Sequence, residues 1–553
     1  MLSNDLKNKV QLLWDRLWGG GLSNPITAIE NISYLLFMKR LEKFHPSVDE
    51  KLKWSTYHNL QNDELKQRVD EVFFYIQNDL SKEDEPFAIE MKKAKFGIST
   101  LSLLEDVIGI VDSIFELIEK EEEKKQHFQD IQGDVYEYLL KATNEAGKNG
   151  QFRTPRHIIQ MMAELVKPNI IEPDAKICDV TSGSSGFLVG AYQYILKENS
   201  SIVEDDEENE LPMGLDGDRL SKEQKLQLKE STFYGFDIDA TMVRIGMMNM
   251  MMHGIEKPHI SHLNTLSNEY EEYFEKKHLA AINIENLIEG KIKAELKTTN
   301  SKKATKTENN FWGREEYNYI LANPPFGAKV NSKVISKNLN RVYVIKENAI
   351  KAQSLQTELL FLERIVYMLK KNGRAAVIVP EGVLFNSGNA YKTTREILLK
   401  DCELEAVISL PSGVFNPYTA VKTSILLFTK KELKSTKFNT KKVWFYGMDS
   451  DGYTLDNSRK KIRNEFPLPE VIQQFDNRNN KNTPQKDRKQ KHFYVSIKEI
   501  EENGLELNYN LYKEYVFEEE NYEPPNKLIE KLLELENEIN INLLTLQKSF
   551  DEK

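Results

Sequence analysis

The chain has 553 residues, 40% of them hydrophobic and 29% charged, a length that exceeds one core and predicts two or three folded domains rather than a disordered chain. Its two cysteines, Cys178 and Cys402, exclude a disulfide framework, no Cys/His spacing suggests a metal site, and no apolar run reaches the length of a membrane span, so the expected compartment is the reducing cytoplasm. A net charge of −11 excludes a protein that grips nucleic acid over its whole surface, because phosphate neutralisation needs clustered Lys and Arg.

Residues 1–128 read as a helical N-terminal domain, with apolar residues at three and four spacing, as in Ile29, Ile32, Leu36, Phe37 and Leu41. The helical pattern continues to residue 140 and breaks at Asn149-Gly150. Short β-branched runs then alternate with amphipathic stretches, which predicts a doubly wound α/β core over 129–450, its parallel sheet flanked by helices. The predicted strands are 176–180, 232–238, 317–322, 374–379, 404–410, 423–429 and 442–446, and the clearest helix is 356–371. Two polar insertions, 204–210 and 297–310, read as solvated loops. The methionines at 247, 248, 250, 251 and 252 fall at helical spacing and read as core filling.

A C-terminal extension covers 451–553. Its basic tract 477–492 reads as a linker, with nucleic-acid contact as the alternative. After Pro524-Pro525, Leu528, Leu532, Leu535, Ile539, Leu543, Leu546 and Phe550 make one apolar stripe on a long helix. A stripe of that length needs a cover, either the chain's own core or a partner.

Three constellations carry chemistry. In Cys178-Asp179-Val180-Thr181-Ser182-Gly183-Ser184-Ser185-Gly186-Phe187, a strand turns into a helix through small residues; such a turn either packs or cradles a nucleotide-like ligand against free helix N–H groups. Phe236-Asp237-Ile238-Asp239 ends the next strand, where Asp237 can accept both hydroxyls of a ribose or can cap a helix. Asn323-Pro324-Pro325-Phe326 follows a third strand. A bare Pro-Pro is a rigid turn, but Asn323 and Phe326 add an acceptor and an aromatic face. The amine of adenine is a poor nucleophile because its lone pair is delocalised into the ring. Hydrogen bonds from its N–H groups to the Asn323 oxygen and the Pro324 carbonyl oppose that delocalisation, and Phe326 can stack on a base that has left the duplex.

The order of these three motifs resembles amino-group DNA methyltransferases that use S-adenosylmethionine. More narrowly, the chain resembles the modification subunit of type I restriction-modification systems. That resemblance runs over residues 5–429 and includes Gly133-Asp134-Val135-Tyr136-Glu137-Tyr138-Leu139, Phe152-Arg153-Thr154-Pro155-Arg156, Arg244-Ile245-Gly246-Met247-Met248-Asn249-Met250, Gly373-Arg374-Ala375-Ala376-Val377-Ile378-Val379-Pro380 and Val407-Ile408-Ser409-Leu410-Pro411-Ser412-Gly413-Val414-Phe415.

The resemblance implies a Rossmann-like S-adenosylmethionine-dependent core between a helical N-terminal domain and a C-terminal helical extension. It implies that Phe152 and Thr154, with Pro155 beside them, border the methionine end of the cofactor. Asp179, Thr181, Gly183, Ser184, Gly186 and Phe187 would belong to its turn, and Asp237 would hold its ribose. Asn264 would lie near its adenine, where an Asp is common, and Asn323 to Phe326 would take the target base. Val180, Ser182 and Ser185 depart from the family's turn and bear on cofactor affinity. The implied partners are a specificity subunit that reads the sequence, a second modification subunit, a restriction subunit and duplex DNA, which the isolated chain is expected to bind weakly. The alternatives are a DNA-recognition scaffold that has lost turnover, and a protein glutamine methyltransferase, whose comparable loop typically ends in Tyr.

Overall fold

The β-branched and aromatic runs between the amphipathic stretches assemble into one nine-stranded sheet in the computed structural model. The structure describes residues 4–45, 47–80, 85–124, 154–201, 204–205, 212–213, 215–288, 312–343, 354–465, 467–480, 485, 487–515 and 525–551. The motif at 133–139, Phe152 and the insertion 297–310 lie outside the described residues. Two compact units divide the chain, Met1–Tyr512 and Lys513–Lys553.

In chain order the strands are β1 (Ile177–Asp179), β2 (Phe233–Asp237), β3 (His259–His262), β4 (Tyr317–Ala322), β5 (Leu369–Pro380), β6 (Cys402–Ser409), β7 (Thr423–Lys430), β8 (Lys442–Gly447) and β9 (His492–Ser496). Their spatial order is β9-β8-β6-β7-β5-β4-β1-β2-β3. The chain leaves β1 toward β2 and β3, then returns to β4 on the other side of β1, so the strand order reverses between β1 and β4. Open α/β sheets bind ligands at the carboxyl ends of the strands at such a point.

The sheet is mixed, which corrects the expectation of a parallel one. β7 runs antiparallel to β5 and β6, and β9 antiparallel to β8. The physical reason lies in the links: the connection from β6 to β7 contains no crossover helix, so the chain returns in the opposite sense. β5 also begins at Leu369, directly after the helix Thr357–Met368, where that helix was expected to run to residue 371.

Alternate residues of β5 enter two cores. Ala376 and Ile378 join one buried cluster, and Ala375, Val377 and Val379 the other. The first cluster also takes in Leu6, Val10, Leu35, Phe37 and Val107 from the N-terminal helices Asn4–Gly19, Pro25–Phe44 and Leu101–Lys124. Those helices extend the packing on one face of the sheet. Met247, Met248, Met250, Met251 and Met252 are buried there, as expected of core filling. Among the described residues no strand precedes Ile177, and no helix is long and apolar enough to cross a membrane.

The sheet continues past residue 450, because β9 pairs with β8 over Lys442↔Ser496 to Tyr446↔His492. The basic tract before β9 is therefore not a free linker in its described part, and three of its cations are held in ion pairs. Arg478 bonds Glu405 at 3.0 Å, Arg488 bonds Glu499 at 2.7 Å through Nη1, and Lys491 bonds Asp449 at 2.9 Å. Arg478 and Glu405 expose only 16% and 14% of their side chains, so this pair is poorly screened by solvent.

In the second unit the helix Pro525–Asp551 exposes Leu528, Leu532, Leu535, Ile539 and Leu543, and also Ile529, Leu533, Ile541 and Leu544. The apolar surface is wider than one stripe. The side chains of Leu546 and Phe550 lie outside the described residues.

Replacing Arg478 by Ala is expected to lower stability by about 1 kcal/mol, since it removes one of the two guanidinium partners of the Glu405 carboxylate while Arg374 keeps that carboxylate paired. Denaturant midpoints of the parent and variant chains measure this, and an unchanged midpoint would show that the tract does not anchor the sheet edge.

Candidate functional site

The turn after β1 is fixed by its own backbone demands. Gly183 adopts φ +48 and Ser185 φ +64, both left-handed, before the helix Gly186–Glu198 begins. Asp179 accepts the Thr181 N–H at 3.0 Å, which turns the chain away from the strand. The helix Ala240–Met252 supports the turn from below. Asn249 Nδ2 donates to the Ser184 carbonyl at 2.8 Å. A side chain at Gly246 would place its Cβ 2.6 Å from Ser185 Oγ and 2.9 Å from the Gly183 carbonyl oxygen, so only glycine lets turn and helix meet. Sequence reasoning assigned Gly246 and Asn249 no role. The available signal was a glycine inside a methionine-rich helix, where it costs about 1 kcal/mol unless something must approach closely.

Asp237 ends β2 and is tied into the same turn. Its Oδ2 accepts the Gly183 N–H at 2.8 Å and its Oδ1 the Asp239 N–H at 2.9 Å. The helix cap is Asp239, which accepts from Thr241 at 2.9 Å and Met242 at 3.3 Å, so the capping role considered for Asp237 belongs two residues later. A carboxylate oxygen has about two lone-pair sites, so each oxygen of Asp237 keeps capacity for a ligand hydroxyl. Burial raises the pKa of Asp237, and burial together with the nearby Asp237 charge raises that of Asp179 to about 8. A buried and a half-buried carboxylate with raised pKa values in one cleft point to a functional site.

The loop after β4 stands across the cleft. Asn323 Nδ2 donates to Thr154 Oγ1 at 3.0 Å, which orients the carboxamide. Asn323 Oδ1 is buried with no hydrogen-bond partner among the described residues. Thr357, at the start of the helix Thr357–Met368, donates its N–H to the Ala328 carbonyl at 3.1 Å, and its hydroxyl lies 3.4 Å from the Pro325 carbonyl. Phe326 is half-buried and meets Phe415 edge to face, with ring centroids 6.2 Å apart.

These elements line a cavity of about 860 Å³ at the strand-order reversal. Of the residues singled out from sequence, Thr154, Asp179, Thr181, Gly183, Ser184 and Gly186 line it, with Phe187, Asp237, Asn264, Asn323 and Pro325. Pro155, Pro324 and Phe326 are not among the lining residues. Pro155 caps the helix Arg156–Val166, its carbonyl accepting from Ile158 and Ile159. Asn264 is partly committed, because its side-chain oxygen accepts the Leu266 N–H at 3.0 Å. A room of this size, with an acidic rim at Asp237, a glycine turn and an unpaired buried acceptor, fits an adenosine-bearing cofactor beside an amine substrate.

The Asp179 pKa has a consequence for stability. It rises from 3.8 to about 8 on folding, so between those values the unfolded chain is ionised while the folded one keeps its proton. Stability from this group therefore falls as pH rises across that window. Asp179→Asn removes the proton linkage, and the variant is expected to gain in melting temperature over the parent from about pH 5 to about pH 8. A difference that stays flat with pH would place the charge on Asp179 in the folded state.

Comparison with known proteins agrees with this geometry. Residues 127–521 match the family model described as N-6 DNA Methylase. The methylase subunit of the type I restriction enzyme EcoEI of Escherichia coli is 30% identical over 315 residues, which is 57% of this chain and 48% of that protein. The StySPI methylase subunit of Salmonella potsdam is 26% identical over 461 residues, 81% of this chain and 72% of that protein. The alignments thus span from about half to about three quarters of these relatives. In fold, the chain is similar to a modification subunit of a putative type I restriction enzyme from Vibrio vulnificus, with a TM-score of 0.60, 20% identity, and coverage of 90% of this chain and 92% of that one. The family model covers more than half of the residues, and the chain belongs to the N-6 DNA methylase family.

Proposed function

We propose that the chain is the modification subunit of a type I restriction-modification complex and transfers a methyl group from S-adenosylmethionine to the exocyclic amine of adenine in duplex DNA. The observation that carries this reading is the Asn323 carboxamide oxygen, buried without a partner among the described residues beside a glycine turn and an acidic strand end. A buried acceptor left unpaired costs about 1–3 kcal/mol, and a ligand donor recovers it.

When bound, S-adenosylmethionine supplies an electrophilic methyl group on a sulfonium sulfur. Asp179, Thr181, Gly183, Ser184, Gly186 and Phe187 would hold it at the turn, Asp237 at its ribose, Asn264 near its adenine and Thr154 near its methionine end. Asn323 and the Pro324 carbonyl accept the two N–H groups of the target amine and direct its lone pair outward. Phe326 stacks on the flipped base, with Phe415 supporting its edge. With its lone pair so directed, the amine would take the methyl group that bound S-adenosylmethionine supplies, the C–S electron pair staying on sulfur and the surplus proton leaving nitrogen for solvent. Orientation and acceptor dipoles carry the acceleration, and no strong base is required.

Asp237 anchors the Gly183 turn as well as offering its oxygens to a ribose, so turn geometry and cofactor affinity depend on one side chain. The proposed partners are a specificity subunit that reads the DNA sequence, a second modification subunit and a restriction subunit. The wide apolar surface of the helix Pro525–Asp551 suits packing against helices of the specificity subunit.

Asn323→Ala is expected to lower methyl transfer by the assembled complex at least about a hundredfold while leaving S-adenosylmethionine affinity near the parent value. Methylation assays paired with calorimetry separate the two, and near-normal methylation would remove Asn323 from the reaction. Deleting residues 526–553 should leave cofactor binding intact and abolish both co-purification with the specificity subunit and DNA methylation. Normal assembly of the truncated chain, or loss of cofactor binding with it, would assign the helix to the chain's own fold.

A further inference from the structure

The helix Pro25–Phe44 belongs to the N-terminal region, yet its Ile26 and Ile29 line the same cavity as the glycine turn. Their placement follows from how the helix starts. Asn24 Oδ1 accepts the N–H of Ile26 at 3.0 Å and of Thr27 at 3.3 Å, and Pro25 takes the first turn, where its missing N–H costs nothing.

One residue beyond Ile29, the helix is fastened to the cofactor-turn support. Glu30 Oε1 accepts from Arg244 Nε at 2.6 Å and from the Tyr34 hydroxyl at 2.7 Å. The paired side chains of Arg244 and Glu30 expose only 8% and 10%. Arg40 Nη1 then donates to the carbonyl of Met252 at 2.9 Å, at the C-terminal end of the helix Ala240–Met252. The N-terminal helix is therefore clamped at two points along the helix whose Gly246 and Asn249 carry the turn. A buried ion pair is a poor source of net stability but an effective register device, because any slip leaves two charges unpaired away from water. Here the register puts two isoleucines at the cavity wall beside Ile159, Met242 and Ile245.

We propose that Pro25–Phe44 is a wall of the cofactor site, with Ile26 and Ile29 in apolar contact with bound S-adenosylmethionine, so that docking of this one helix and cofactor binding are thermodynamically linked. The inference rests on the functional reading above. Linkage is reciprocal: whatever loosens the helix weakens the cofactor, and the cofactor holds the helix down.

The test uses the full chain and S-adenosylmethionine. The double variant Ile26→Ala, Ile29→Ala is expected to raise the calorimetric Kd by about tenfold or more, the range set by trimming apolar contacts in a pocket. Val69→Ala serves as control: Val69 is fully buried in the helix Asn62–Asn78 and does not line the cavity, so it lowers stability and leaves Kd unchanged. Equal weakening by both variants, or by neither, overturns the proposal. Hydrogen exchange on the parent chain gives a second measure that does not depend on any variant folding. Saturating cofactor is expected to slow exchange of amides in Pro25–Phe44 and to leave Asn62–Asn78 unaffected; no selective protection overturns the linkage. If the parent chain shows no binding of S-adenosylmethionine at all, the functional reading itself falls and this inference falls with it.

Discussion

The carboxylate of Asp237 is the joint on which the site depends, because it accepts one backbone N–H from each of the two segments that must meet there, Gly183 in the turn and Asp239 at the head of the next helix. Neither bond alone places a ligand. Together they set the turn against the helix Ala240–Met252, and that approach is open only because Gly246 has no side chain. The cost is visible in the electrostatics. Burial raises the pKa of both Asp237 and Asp179, and the Asp237 charge adds to the rise at Asp179, an arrangement that folding alone would not favour.

A second constraint organises the other wall. The chain leaves the Asn-Pro-Pro-Phe loop on a long excursion before the helix Thr357–Met368, and that excursion is secured by a buried charge. Glu271 Oε1 accepts from Arg364 Nη1 at 2.8 Å, from Ser336 Oγ at 2.8 Å and from Asn338 Nδ2 at 3.2 Å. The Ser336 N–H bonds the Leu266 carbonyl at 2.8 Å, two residues after Asn264. The Asn264 side of the cavity and the segment that follows the Asn-Pro-Pro-Phe loop thus share one polar network. Such a network ties loops in register, and removing one member leaves a charge stranded in the interior.

Charge elsewhere in the chain is spent on structure. The basic residues Arg478, Arg488 and Lys491 each face an acidic partner around β8 and β9, and Arg374 shares Glu405 with Arg478. Among the described residues of this tract, Arg478, Arg488 and Lys491 are thus committed to ion pairs within the chain. That pairing is consistent with a chain that relies on an assembled complex for its hold on DNA.

The amino-acid sequence by itself determined the chemistry-bearing segments. A glycine turn after one strand, an aspartate ending the next and Asn-Pro-Pro-Phe ending a third are local features, written in residues that dictate backbone shape wherever they fall, and the strand Tyr317–Ala322 and the buried methionines were equally legible from periodicity. The edge strand β3 was not, because a short polar segment such as His259–His262 becomes a strand only when a neighbour supplies the ladder. Nor could the sequence assign the cap to Asp239 over Asp237, pair Arg244 with Glu30 across 214 positions, or bring Ile26 to the cavity. Those facts depend on contacts between residues far apart in the chain, and only the packed structure decides which distant side chains meet.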